Sequence, residues 1–233
     1  MKKYLYLITS VLFFLVVLLP ILSVFISSFV KNGSLSLENY SEIFQGRTLT
    51  LFLTSIVMAG TVSFVSTVIG GAAAFILTKT DLPFKNVFKI TFLIPLFLSP
   101  YILAVSWVDF FIMLGIGKSF IYSLPGVIFV LSLIFTPLSM LVISSGFTNV
   151  NSRLEEAGLM ITNYSKTFIK VVLPLIKPSI ITSFILVFVL AISEFSVPAF
   201  LSVNVFITEI FTQFSAFYRH DLAIANSERS SLQ

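Results

Sequence analysis

The side chains that could do chemistry in this 233-residue chain are few: ten carboxylates, one histidine (His220) and no cysteine. Without cysteine there are no disulfides, thiolate metal sites or cysteine nucleophiles. A single histidine excludes multi-histidine zinc or haem centres. It also lies in a polar stretch beyond the last apolar run, so a serine hydrolase working inside a membrane has no base where it needs one. No GxxxxGK[ST] phosphate loop occurs. The expectation is a chain with no catalytic residues, no metal site and no cofactor. The carboxylates that stand out are Glu155 and Glu156, in a polar connection, and Glu194 and Asp109, in apolar surroundings. A carboxylate inside a membrane is a functional candidate, and carboxylates at a pore mouth suit a cationic or metal-bearing solute. Ser193, Glu194, Ser196 and Pro198 are the candidate outer-gate residues on that basis. Polar residues at a wet helix end are the alternative reading, for Asp109 as for Glu194. Trp107 and Tyr101 read as packing or interfacial aromatics.

The elements that must hold these residues are set by composition. The chain is 57% hydrophobic and 10% charged, where soluble domains average about 45–50% and about 25%. Its mean hydropathy is +1.06, and 27 residues are Phe. Such a chain sits mostly in lipid. Disorder is excluded by the abundance of apolar surface. Nucleic-acid binding is excluded too, because the net charge of +4 is spread along the chain with no basic stripe.

Apolar runs long enough to span, about 20 residues, start near Tyr4, Leu49, Val87, Leu124 and Pro178. The first, to about Val30, is too long for a secretory signal and holds Pro20 as a kink or break. The second, to Leu77, ends in small residues from Gly70 to Ala74, which let neighbouring helices approach closely. The third, to Leu114, is interrupted by Pro95 and Pro100. The fourth, to Phe147, contains Pro137, and the fifth reaches Leu201. Five spans and no internal repeat predict an all-α polytopic bundle. Lys2, Lys3, Lys79, Lys85, Lys89, Arg153, Lys166, Lys170 and Lys177 fall on one side, nine against four (Lys31, Arg47, Lys118 and Arg219) on the other. The excess places the N-terminus in the cytoplasm.

The longest connection on the basic side runs from Thr148 to Lys177. Asn151 or Ser152 can cap a short helix there, with Glu155 or Glu156 in its first turn. Leu154, Ala157, Gly158 and Ile161 fall at i, i+3, i+4 and i+7, an apolar stripe. Asn163-Tyr164-Ser165 then turns the chain into a second short helix with Phe168 and Val171 on one face, broken by Pro174 and Pro178. On spacing alone this reads as an interfacial helix lying on the inner leaflet, basic on one side.

The stretch resembles the signature Glu-Ala-Ala loop of binding-protein-dependent ABC importer permeases, the loop that docks on the ATPase. Glu155 takes the Glu position and Glu156 and Ala157 the two Ala positions. Phe168, Leu173, Pro174 and Pro178 match theirs. Glu156 in place of Ala, and Ile161 where the family has the Gly of a turn, depart from the pattern. Leu77–Trp107, Ser193–Leu201 and Phe206–Phe214 are similar to the corresponding regions of permeases for ferric iron, and to relatives for thiamine, aminophosphonates or polyamines. The resemblance covers Leu37 to Ser227. It implies the bundle of type I ABC importers, with residues 1–36 as N-terminal helix and start of an outer loop and 37–233 as the permease domain. It implies one half of a solute pathway in the inner (plasma) membrane, with ferric iron as candidate substrate. The partners implied are ABC ATPase subunits, a second permease half, an extracytoplasmic solute-binding protein and the lipid bilayer. The ATPase-coupling residues would be Leu154, Glu155, Glu156, Ala157, Gly158, Ile161, Phe168, Leu173 and Pro174. The family also places a sixth span after the segment resembling Phe206–Asn226, where this chain reads AIANSERSSLQ. That domain is therefore expected to be C-terminally incomplete. The alternative from another class is an ion-coupled secondary transporter of a small solute, which calls for paired interrupted helices and midplane charges.

Overall fold

A computed structural model describes residues 2–28, 30–31, 34–35, 46–81, 83–115, 118–213 and 215. The chain divides into two units, Met1–Thr50 and Leu51–Gln233. In the first, α1 (Lys2–Ser28) is 27 residues long, about 40 Å at ~1.5 Å per residue. Its backbone stays helical through Pro20, where the sequence predicts a kink or a break. A two-residue antiparallel ladder pairs Val30 with Leu35 and Lys31 with Ser34.

The second unit is built on α2 (Gly46–Lys79) from Leu51 onward, α6 (Leu124–Thr148) and the helical run Tyr164–Ile192. These three are long and apolar enough to cross a bilayer. The central one is α6: 67% of its apolar window is buried, against 22% for Tyr164–Ile192. Large apolar side chains such as Phe64, Val68, Ile181 and Ile185 are exposed, which suits a surface that faces lipid. Two apolar clusters fill the ends of the bundle. One gathers Met58, Val62, Val130, Leu131, Val187 and Ala191; the other gathers Ala74, Met140, Ile143, Phe147, Val172 and Ile176. Small and hydroxylated side chains lie between them. Ser66 Oγ donates to the carbonyl of Ser132 at 3.0 Å, tying α2 to α6. At Gly70 the two backbones come so close that a Cβ would sit 2.8 Å from the Thr136 carbonyl oxygen and from the Met140 nitrogen. At Gly146 of α6 a Cβ would instead press on a side chain, 2.5 Å from Ser179 Oγ.

The third apolar run is two helices, α3 (Lys85–Phe97) and α4 (Pro100–Met113), bent by 103°. The break falls at Leu98 and Ser99, both extended (ψ 148° and 134°). Pro100 favours this, because a proline disfavours helical backbone at the residue before it and suits the first turn of α4, where no N–H partner is needed. Pro95 stays inside α3. At 13 and 14 residues, neither leg reaches the roughly 30 Å of a hydrocarbon core alone; a single turn, α5 (Lys118–Ile121), precedes α6.

The fifth run corrects the sequence reading. Pro174 and Pro178 do not end a short helix. A continuous helix runs from Tyr164 to Ile192: α8 (Tyr164–Thr167), a π-turn (Phe168–Val172) and α9 (Leu173–Ile192). The Leu173 N–H bonds the Phe168 carbonyl five residues back. That wider turn sits directly ahead of Pro174, which has no N–H to give and whose ring crowds the preceding turn. The span therefore begins earlier than Pro178 and ends at Ile192, not near Leu201. Ser193–Phe195 form a turn into the short α10 (Ser196–Phe200). Residues 206–213 are again helical, held to α2 by the Phe206 N–H donating to Ser55 Oγ at 2.8 Å and by a Phe52–Phe206 edge contact.

Candidate functional site

The connection after α6 folds into α7 (Ser152–Ile161), an extended step at Thr162–Asn163, and α8. Asn151 caps α7, its side chain accepting the Arg153 N–H at 3.0 Å. Asn163 caps α8, accepting from the Lys166 N–H at 3.1 Å. The turn thus sits at Thr162–Asn163, one residue ahead of the expected Asn163-Tyr164-Ser165. It needs no left-handed residue: Thr162 has φ −150°. Ile161, at the family's glycine position, closes α7 as an ordinary helical residue, so the departure costs this turn nothing.

Glu155 does not cap the helix. Its carboxylate forms an ion pair with the Lys79 ammonium at the end of α2, and the two side chains are only 16% and 17% exposed. Gly158 faces Thr167, and a Cβ there would come within 2.6 Å of the threonine methyl. These contacts fix one side of α7 to the bundle. The rest of the helix surface is bare. Leu154, Ala157 and Ile161 share an exposed face, Met160 and Ile161 are 90% and 88% exposed, and no residue of α7 is buried. Glu156 and Arg153 are exposed beside them. Phe168 is elsewhere, wedged between Phe75 of α2 and Phe147 of α6 with ring centroids 5.1 and 6.4 Å away. Leu173 and Pro174 are exposed on the first turn of α9.

The second candidate group divides. Glu194 lies just past the end of α9, half-buried. Its Oε1 accepts the Ser196 N–H at 2.9 Å and the Ser196 hydroxyl, closing the turn into α10. Pro198 is buried and Ser193 exposed. Asp109 is exposed on α4, apart from this group in sequence and element. Among the described residues no three His, Asp or Glu side chains converge to hold a metal ion.

Sequence reasoning missed Lys79 as the partner of Glu155, Thr167 as the seat of Gly158, and Phe75 and Phe147 as the socket of Phe168. The first carries a signal, an opposite charge at the neighbouring mouth of a span. The phenylalanines carry none in a chain with 27 of them.

The result is a short helix held along one flank and otherwise bare, at the end of a helical membrane bundle. The family model for the binding-protein-dependent transport system inner membrane component matches residues 66–218, which take in α7 and both turns described above. The chain belongs to this family. The permease is similar to a ferric transport system permease protein of Haemophilus influenzae, 26% identical over 216 residues, 86% of this chain and 34% of that one. A ferric transport system permease protein of Actinobacillus pleuropneumoniae is 26% identical over 223 residues, covering 86% and 31%. A trehalose/maltose transport system permease protein of Thermococcus litoralis is 27% identical over 216 residues, covering 84% and 74%. The permease spans about a third of the length of the two ferric relatives it matches.

Proposed function

We propose that the permease forms half of the translocation pathway of an ATP-driven importer and takes up the ATPase's motion through α7. The observation that carries this is the bare surface of Leu154, Ala157 and Ile161 on a helix held along one flank by Lys79–Glu155 and Gly158–Thr167. Ala157 is small, so a partner groove can close on it. Phe168 then passes displacement of α7 and α8 to α2 and α6. The remaining partners in this reading are a second permease half and an extracytoplasmic solute-binding protein, and the first solute to try is ferric iron. Family membership favours this over the ion-coupled secondary transporter. Ala157→Trp should weaken capture of the ATPase encoded with the chain at least tenfold, with the bundle intact by proteolysis. If α7 instead lies on lipid, the tryptophan deepens membrane contact and capture is undiminished, which would discard docking.

In the same reading the N-terminus, Lys79 and α7 face the cytoplasm, and Glu194 with Ser193, Ser196 and Pro198 borders the outer gate. The half-buried carboxylate at the turn closing the span supports that placement. Cysteines introduced as Ser34→Cys and Ser165→Cys in this cysteine-free chain should label from opposite sides of sealed vesicles. Labelling from one side refutes the topology.

A further inference from the structure

Lys85 and Lys89 stand one turn apart on α3 and line a cavity of about 400 Å³ against the end of α6. Asn86, Ser144, Ser145 and Thr148 complete its polar rim. No carboxylate lines it, and neither lysine has an ion pair among the described residues. The last carbonyls of α6 lend the site partial negative charge, which helps hold two ammonium groups there and which the pair must outweigh for an anion to bind. Two unpaired cations, an amide and hydroxyls converging on one cavity are the donor set for a phosphate.

The cavity continues as apolar surface. Leu77 lines both it and a groove of about 260 Å³ formed with Ala73, Ile76, Phe88 and Phe92. Phe88 and Phe92 also line a further hollow of about 410 Å³ that reaches Pro95, Pro137 and Trp107. A basic polar end leading into a hydrocarbon-lined track fits an amphiphile. We infer that the end of α3 and α6 binds an anionic phospholipid, its phosphate between Lys85 and Lys89 and an acyl chain along Phe88 and Phe92. A free anion would use the first cavity and leave the groove without a role. Thr78 lines the same cavity, so the lipid would brace the end of α2 next to the lysine that holds α7.

Trp107 is the chain's one tryptophan and sits on the acyl track, so it reports occupancy directly. The chain is reconstituted in phosphatidylcholine vesicles containing either dibrominated phosphatidylglycerol or dibrominated phosphatidylcholine at matched mole fraction. A lysine near an anionic lipid surface is worth about a fivefold preference, so the pair predicts at least about a tenfold preference for phosphatidylglycerol in quenching Trp107. Lys85→Gln/Lys89→Gln should remove it and Lys85→Arg/Lys89→Arg should keep it. Ser145→Glu, which leaves both lysines in place, should also abolish it. Matching tryptophan emission in unbrominated lipid shows that each variant is folded. Equal quenching by the two lipids, or a preference surviving the double glutamine variant, overturns the site. Loss of the preference on adding millimolar inorganic phosphate overturns the lipid as occupant in favour of a soluble anion.

Discussion

Gly70→Leu should leave little folded bundle. An added Cβ would meet Ser139 Cβ at 2.6 Å and two backbone atoms of α6 at 2.8 Å. A flexible side chain can yield, but backbone inside a helix cannot move without carrying its turn along. Overpacking of this kind costs about 1–3 kcal/mol even for extra methylenes in an existing side chain, and leucine at a backbone crossing costs more. The gain in helix propensity on losing glycine, about 0.8–1.0 kcal/mol, is too small to offset it. Gly60 gives the control, because nothing lies within 4 Å of its would-be Cβ. Gly60→Leu should therefore solubilise as monodisperse, protease-resistant protein at the parent level, while Gly70→Leu aggregates or is digested. Equal recovery of the two would show that α2 and α6 do not cross closely at Gly70.

Reversing one charge of the Lys79–Glu155 pair should release α7 from α2. With both side chains largely covered, Lys79→Glu sets two carboxylates where water screens them poorly. Stranding one member of a fully buried pair costs about 3–5 kcal/mol, and partial exposure here reduces that to about 1–3 kcal/mol. Hydrogen exchange of the amides in 152–161 should then speed about tenfold to a hundredfold. The double variant Lys79→Glu/Glu155→Lys should recover most of the protection. It should not recover all, because a lysine in the first turn opposes the helix dipole by about 0.3–1 kcal/mol. A double variant that exchanges as fast as the single one would mean that the two side chains do not meet.

Much of the bundle was legible because length and apolarity are local properties. The sequence placed α2 and α6 within a few residues, and a cap at Asn151 or Ser152 gave the start of α7. Asn163 was read as turning the chain, and it does so as a cap. Errors gathered where a local rule had more than one physical solution. Pro100 broke its run as a proline should, yet Pro174 did not: it follows a π-turn inside a continuous helix, and the sequence carries no mark of that turn. Placing the end of the fifth span near Leu201 put Glu194 inside a helix; the chain turns at Ser193–Phe195, and the carboxylate closes that turn. The pairing of Glu155 with Lys79 spans 76 positions, a separation at which no periodicity reports. The expected apolar stripe on α7 exists, but its edge at Gly158 meets Thr167 while Leu154, Ala157 and Ile161 stay exposed.

The turn at Phe168–Val172 amounts to one surplus residue wound into the helix. Each residue of an α-helix advances the winding by about 100°, so everything beyond Val172 is rotated by roughly that angle from where plain α-geometry would aim it. Ile176, Ser183, Val187 and Ala191 reach the interior because of this offset. Excising one residue from the turn would regularise its hydrogen bonding and swing those four toward lipid, the helical counterpart of a frameshift. The azimuth of the whole crossing is thus set by five residues at its mouth, beside the joint where α7 meets the bundle.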